Sequence, residues 1–289
     1  MPYTKKIEFN QAGAAIATEL SYLKMDPILQ QEKPYDINYD TNGLLPATNW
    51  TSDVRPTLIQ NLRTVKSPHT FDEFGFCVKK LPSALGRHDF LDSEKVEGCF
   101  YPEVKQKLEQ MFPQAAKIEI MEHKIRQRDR QFPFASGKQS KYLSPTNVIH
   151  IDITPYAASF VSQVACPASA KRYPRVLMIN LWKSLQGPGN DWPLALCDRR
   201  TVDYDKETMG QDIVSADRVT ENALVSHSPR HEWYYLDEMK DDEIIIFQQF
   251  SSDMKGGGGV PHAGFFHPMA SKNAAPRVSI ELRVILYFE

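Results

Sequence analysis

Asn147-Val148-Ile149-His150-Ile151-Asp152-Ile153-Thr154 alternates apolar and polar residues along most of its length. Successive side chains of a strand point to opposite faces. His150 and Asp152 therefore share one face, while Ile149, Ile151 and Ile153 share the other. The isoleucine face calls for a hydrophobic layer behind it. The polar face carries an imidazole and a carboxylate side by side on stiff backbone. That pairing suits two ligands of one divalent metal. HxD alone is also what polar alternation on a solvent-facing strand produces, so the surrounding sequence decides between the two.

The neighbouring segments read as further strands. Lys117–Arg126 alternates, with a phase shift near Met121. Arg175–Trp182 and Asp242–Phe250 are mostly apolar runs of the kind a strand buries on both faces. Pro276–Phe288 is the longest: Arg277, Ser279, Glu281 and Arg283 share one face, and Val278, Ile280, Leu282, Val284 and Leu286 the other. Many strands separated by turn signals indicate a sandwich or barrel. No regular helices alternate with them, which argues against a doubly wound α/β sheet. Tyr101-Pro102-Glu103 opens a helix whose Val104, Leu108, Met111 and Phe112 form one apolar stripe. The first hundred residues, punctuated by Pro27, Pro34, Pro46, Pro56, Pro68 and Pro82, read as irregular structure with a few helices wrapped on the main body. One domain over residues 1–289 is expected, with residues 1–100 packed on a core formed by 115–289.

Charge and composition narrow the function. Lys and Arg number 34 against 36 Asp and Glu, so the basic excess of a dedicated nucleic-acid binder is missing. No run of 18 apolar residues occurs, which excludes a transmembrane helix. The N-terminal stretch lacks the continuous apolar segment of a secretory leader. Cys77, Cys99, Cys166 and Cys197 are scattered, form no CxxC pair and read as reduced thiols. A cytoplasmic protein acting on a small molecule, with no nucleic-acid or membrane partner, is the expectation. Oligomeric state has no signature here. Cys197 has no histidine at a nucleophile's spacing and reads as a buried small hydrophobe.

The third metal donor has to come from another segment, and Pro261-His262-Ala263-Gly264-Phe265-Phe266-His267 offers His262 or His267. Two histidines and one carboxylate on one face of a metal leave the opposite positions open, as in non-haem iron oxygenases. Arg277-Val278-Ser279 adds a guanidinium fork and a hydroxyl. Together they could receive the distal carboxylate of 2-oxoglutarate through charge-assisted bonds. The competing reading makes this face the polar outside of an edge strand, with Glu281 paired to Arg283 or Arg277. Gly256–Gly259 lacks the ending of a phosphate loop and reads as a flexible loop, with a mobile active-site edge in view. His123 and Arg126 read as structural or as contacts for an acidic substrate. His231-Glu232-Trp233-Tyr234-Tyr235 reads as core or pocket wall.

From about residue 70 onward the chain resembles the fungal and bacterial hydroxylase/desaturase family that includes gibberellin GA4 desaturase and the cephalosporin-pathway methoxylase component. The landmarks, in order, are FDEFGFCV, FYPEV, HKIRQR, VIHID, INLWKSLQGPGNDWPLALCD, HEWYYLDEM, DDEIIIFQQF, VPHAGFFHP and PRVSIELRVILYF. The resemblance implies a mainly β fold with flanking helices around a double-stranded β-helix, a cupin-like jelly roll with a metal at its mouth. It implies Fe(II), 2-oxoglutarate and dioxygen as cofactor and co-substrates, with His150, Asp152 and His262 as iron ligands. His262 is preferred to His267 because it fills the histidine of the PHxxF element. Arg277 with Ser279 would bind the 2-oxoglutarate carboxylate, with Arg283 as second candidate. Asn180 would bond a co-substrate oxygen or stand as a satisfied core amide. Phe250-Ser251-Ser252-Asp253 and Ala263 depart from the family pattern and bear on substrate identity. The implied activity is hydroxylation, desaturation or cyclisation of a small molecule of specialised metabolism. The alternatives are a zinc-dependent hydrolase and a non-catalytic jelly-roll binding protein.

Overall fold

The computed structural model describes residues 14–65, 70–129, 132, 142–164, 173–187, 191–271 and 273–289. The readings of the first 13 residues, of Pro68 and of Cys166 lie outside these. Among the described residues the strands are β1 (Ala15–Leu23), β2 (Tyr35–Ile37), β3 (Ser52–Asn61), β4 (Phe76–Lys80), β5 (Ala115–Gln127), β6 (His150–Ile151) and β7 (Arg175–Ser184). They continue with β8 (Leu194–Cys197), β9 (Thr208–Val214), β10 (Val219–Val225), β11 (Trp233–Tyr235), β12 (Glu243–Ser251), β13 (His262–Gly264) and β14 (Val278–Phe288).

Two sheets form. The larger runs β1-β3-β11-β8-β13-β6-β10-β9-β2, and the smaller β4-β12-β7-β14-β5. The larger curls far enough that Ser21 bridges Val148 and Leu23 bridges Ser226. Its back thereby closes over an apolar cluster of Ile16, Leu20, Tyr22, Ile59, Ile149, Ile151, Trp233 and Phe265. This is the layer that the isoleucine face of the opening stretch requires. A second cluster fills the space between the sheets, with Trp182, Ile245 and Phe247 meeting Leu194, Leu196, Tyr234 and Val260.

The outer face of the smaller sheet is covered by the helix Tyr101–Met111. The sequence opens this helix at Tyr101, but helical backbone already runs from Ser93, and Pro102 follows directly on a π turn at Val96–Phe100. Val104 and Leu108 are fully buried in one cluster with Leu181, Ile246, Ile280, Leu282 and Val284. Truncating such a leucine costs about 2–5 kcal/mol.

Three further sequence readings need correction, and one competing reading falls away. The N-terminal hundred residues supply β1, β3 and β4 rather than mostly irregular chain. Pro56 is tolerated in β3 because β11 pairs only Ile59–Asn61, leaving one flank of β3 open at the proline. The strand at the opening stretch is short: β6 holds only His150–Ile151. Beyond Ile151 the chain turns away, because Thr154 caps the helix Pro155–Val164 by accepting from the Ala157 N–H at 3.1 Å. β14 is no edge strand, since β7 and β5 flank it on both sides. Its polar face points inward, and Arg277, Ser279 and Glu281 are all buried.

The glycine run is a packed turn. Gly256, Gly257 and Gly258 take φ of 66°, 76° and 59°, a region that L side chains rarely adopt. Gln248 donates from Nε2 to the carbonyls of Gly257 at 3.1 Å and Gly258 at 2.9 Å. A Cβ on Gly259 would stand 2.4 Å from Ile151 Cγ2 and 2.5 Å from the Gln249 carbonyl. The run holds β6 and the entry to β13 in place instead of forming a mobile edge.

Candidate metal centre

His150 and His262 are register partners on β6 and β13. Their Nδ1 atoms lie 2.8 Å and 3.0 Å from the carbonyls of Val148 and Val260. A carbonyl only accepts, so each ring must carry its proton on Nδ1 and present a bare Nε2 inward. Asp152 follows β6 and completes the group. Nε2 of His150 is 3.2 Å from Asp152 Oδ1, and Nε2 of His262 is 3.9 Å from the same oxygen. One donor atom from each residue falls within 4.8 Å of the others. The donor set and its convergence fit a divalent metal with two nitrogen ligands and one oxygen ligand.

The electrostatics favour ligation. Burial, reinforced by neighbouring His150, pushes the His262 imidazole down to about 3, so the ring stays neutral. Burial alone would raise the Asp152 carboxyl. The Arg283 guanidinium outweighs it and holds the carboxyl well below the usual range.

The smaller sheet supplies the surroundings. Asn180 on β7 donates from Nδ2 to Asp152 Oδ2 at 2.7 Å. Arg283 on β14 reaches the same oxygen through Nη2 at 3.1 Å and Glu122 through Nη1 at 3.0 Å. The Arg283 fork is therefore occupied by two carboxylates, and the Asn180 amide is given to Asp152. Both sit beside the metal ligand.

Arg277 stands differently. It is buried, its Nε–H donates to Ser279 Oγ at 3.1 Å, and Nη1 donates to the Trp192 carbonyl at 3.2 Å. Its guanidinium carbon lies 5.0 Å from the centre of the Trp182 ring. Among the described residues no carboxylate forms an ion pair with its side chain. Burial, with Arg126 nearby, pushes the guanidinium down to about 9 against the opposing pull of Glu281 and Asp191. Arg277, His150, His262, Arg126, Glu281 and Thr146 line one small cavity. Burial and the nearby Asp152 raise the Glu281 carboxyl.

Other candidates fall outside the centre. His267 lies beside Tyr235 and Phe265, with Nδ1 accepting from the Met269 N–H at 3.2 Å. His123 faces away, bonded to Tyr101 at 2.9 Å and Ser93 at 3.2 Å. His231 meets Glu207 at 3.0 Å. Cys197 is buried in the cluster behind the larger sheet. Arg126 does face the cavity, and Glu122 and Glu281 join the centre without having been singled out as site residues. The signal for Glu122 was the phase shift at Met121. Arg283 pairs with Glu122 and Val284 with Ile120, so Met121 is the extra residue that turns Glu122, Lys124 and Arg126 inward.

Comparison with known proteins places this geometry. Fe(II)/2-oxoglutarate-dependent dioxygenase nvfI of Aspergillus novofumigatus (strain IBT 16806) is 32% identical over 146 residues, 50% of this chain and 52% of that protein. Oxidoreductase clz16 of Cochliobolus lunatus is 24% identical over 276 residues, covering 86% of this chain and 93% of that one. Hydroxylase/desaturase efuI of Hormonema carpetanum is 25% identical over 269 residues, covering 86% and 88%. A solved structure of the iron and alpha-ketoglutarate-dependent endoperoxidase NvfI matches with a TM-score of 0.82 at 21% identity, over 96% of this chain and 99% of that one. This last likeness is one of fold, and it makes the curled two-sheet architecture the expected jelly roll. No helix among the described residues is long and apolar enough to cross a membrane. The family model described as Oxidoreductase/YMDC permease-like domain matches residues 20–287, and the chain belongs to that family.

Proposed function

We propose that the chain is an Fe(II)- and 2-oxoglutarate-dependent oxygenase that hydroxylates, desaturates or cyclises a small-molecule intermediate of specialised metabolism. The observation that carries this reading is the convergence of His150, Asp152 and His262 within 4.8 Å on a jelly-roll scaffold. Curated relatives named dioxygenase and hydroxylase/desaturase support it. When bound, iron with 2-oxoglutarate and dioxygen supplies the oxidising power, through decarboxylation of the co-substrate.

The residues divide the remaining work. His150, Asp152 and His262 hold the metal through three protein ligands and leave the cavity side open. Arg277 binds the far carboxylate of 2-oxoglutarate, which gives its buried charge a partner. Ser279 fixes the plane of the guanidinium through the Nε–H bond of 3.1 Å. Leu194, Ala263 and Gly264 bring apolar wall and backbone around the cavity and restrict water. No observation at the site favours a zinc hydrolase or a silent binding protein.

The test is anaerobic titration of purified protein with Fe(II), then with 2-oxoglutarate, followed by visible absorption. A weak charge-transfer band in the wild type, absent in His150→Ala, is the expected result. Iron uptake with no band and no succinate formed on adding oxygen would overturn the 2-oxoglutarate assignment. Failure to take up iron would overturn the metal reading.

A further inference from the structure

We propose that Arg283 is a positioning residue for Asp152. Together with Asn180 it engages Oδ2, so that the carboxylate offers the metal Oδ1 alone. This rests on reading the site as an iron centre. The argument starts from backbone. His150 and His262 are held by a β ladder, but Asp152 lies past the end of β6, where no strand fixes it. The smaller sheet fixes it instead, through three strands. The Asp152 N–H donates to Gln249 Oε1 at 2.8 Å. Gln249 sits at a bulge of β12, where the register slips between Gln248 and Phe250. Bulges near active sites commonly re-aim a side chain in this way.

Asn180 and Arg283 are themselves register partners, on β7 and β14. Both strands are interior to their sheet, so two donors arrive at one oxygen from a rigid ladder. Glu122 on β5 grips the other arm of the guanidinium at 3.0 Å, so Arg283 cannot easily swing away. A bidentate carboxylate would take a fourth coordination position. A bidentate 2-oxo acid and dioxygen together need three open positions of six. Engaging Oδ2 with two donors keeps all three available. The same contacts explain why Arg283, although it shares a strand face with Arg277, does not serve the co-substrate.

The experiment measures anaerobic Fe(II) affinity by competition with a chromophoric chelator. It then measures 2-oxoglutarate affinity at saturating Fe(II), for wild type, Asn180→Ala, Arg283→Gln and Arg283→Lys. Asn180→Ala and Arg283→Gln should each weaken iron binding about 10–100-fold, the range for losing an outer partner of a ligand. The 2-oxoglutarate affinity of the iron-loaded protein should stay unchanged. Arg283→Lys keeps the charge without the fork and should recover iron affinity only in part. Thermal melting of the metal-free proteins reports folding, and if Arg283→Gln does not fold, Asn180→Ala decides. Wild-type iron affinity in the folded variants would overturn the proposal. So would weakened 2-oxoglutarate binding with iron affinity intact, which would return Arg283 to the co-substrate. A wild type that takes up no Fe(II) would overturn the iron reading itself, a result distinct from both.

Discussion

The rings of His150 and His262 stand 4.4 Å apart between centres because the two residues face each other across neighbouring antiparallel strands. The metal site is therefore partly an outcome of strand pairing, formed before any metal arrives. Chelating the metal should lower the melting temperature without unfolding the protein at 25 °C. His262→Ala should keep the β-rich circular dichroism spectrum yet lose Fe(II) affinity by more than the roughly 100-fold typical of an outer partner. Loss of folding on chelation alone would contradict a preformed site.

Arg277 makes a prediction with two signs. Its guanidinium is buried without a paired carboxylate, and removing an uncompensated buried charge is often neutral or stabilising. Arg277→Met should melt no lower than wild type in the absence of 2-oxoglutarate. It should bind 2-oxoglutarate at least about 100-fold more weakly, from the loss of two charge-assisted hydrogen bonds. 2-Oxoglutarate at 100 times the wild-type Kd should stabilise iron-loaded wild type by about 2.7 kcal/mol and the variant by no more than about 0.4 kcal/mol. Calorimetry with and without the co-substrate reads both effects.

Gly264 lies against the same side chain. A Cβ there would meet Arg277 Nη1 at 2.8 Å and Trp192 Cδ1 at 3.0 Å. The nearest atom is the tip of a long side chain, so the fold can yield by moving the guanidinium. Gly264→Ala should leave iron affinity at the wild-type value and weaken 2-oxoglutarate binding about tenfold, the cost of one misplaced charge-assisted bond. Titration of the iron-loaded variant by absorption checks it, and equal loss of both affinities would refute it.

Much of this centre was legible in the sequence. The alternation around His150, the PHxxF histidine and the polar face of Pro276–Phe288 all landed on the cavity. Three things were hidden for physical reasons. Asp152 leaves the strand because Thr154-Pro155 starts a helix, a capping signal that the regular alternation masked. The strands β1 and β3 were overlooked because prolines dominated the reading of the N-terminal region, although Ile16, Leu20 and Tyr22 alternate there. The roles of Arg283 and Asn180 depend on which strands become neighbours, and that is a tertiary fact no local pattern carries.

A remote ion pair contributes to the acid resistance of the fold. Arg63 grips Glu243 with both arms, Nη1 to Oε1 at 2.7 Å and Nη2 to Oε2 at 2.5 Å. These bonds hold the Glu243 carboxyl at about 2, against 4.5 when the chain is unfolded. The folded value is depressed, so the contribution is complete above about pH 4.5 and fades as pH falls towards 2. Glu243→Gln should cost on the order of 2–3 kcal/mol at pH 7, with Arg63 partly in solvent. Its urea curve should converge on that of wild type between pH 4 and 2. A gap that persists at low pH would assign the loss to packing instead.

The extra residue at Met121 gives β5 two reading frames on one backbone. Before it, Ile118 and Ile120 pave the outer apolar layer; after it, Glu122 and Arg126 face the chemistry while His123 and Ile125 take over the paving. Met121 itself is 42% exposed and is absorbed by the bulge, so its identity matters little. Drift in this strand should therefore tolerate substitution or deletion at position 121 and reject a deletion on either side of it, which would flip one segment. With Ile120 and Glu122 already opposite the adjacent Val284 and Arg283, losing Met121 would leave a regular ladder in which Glu122 and Arg126 still face the site and Arg283 keeps both carboxylates.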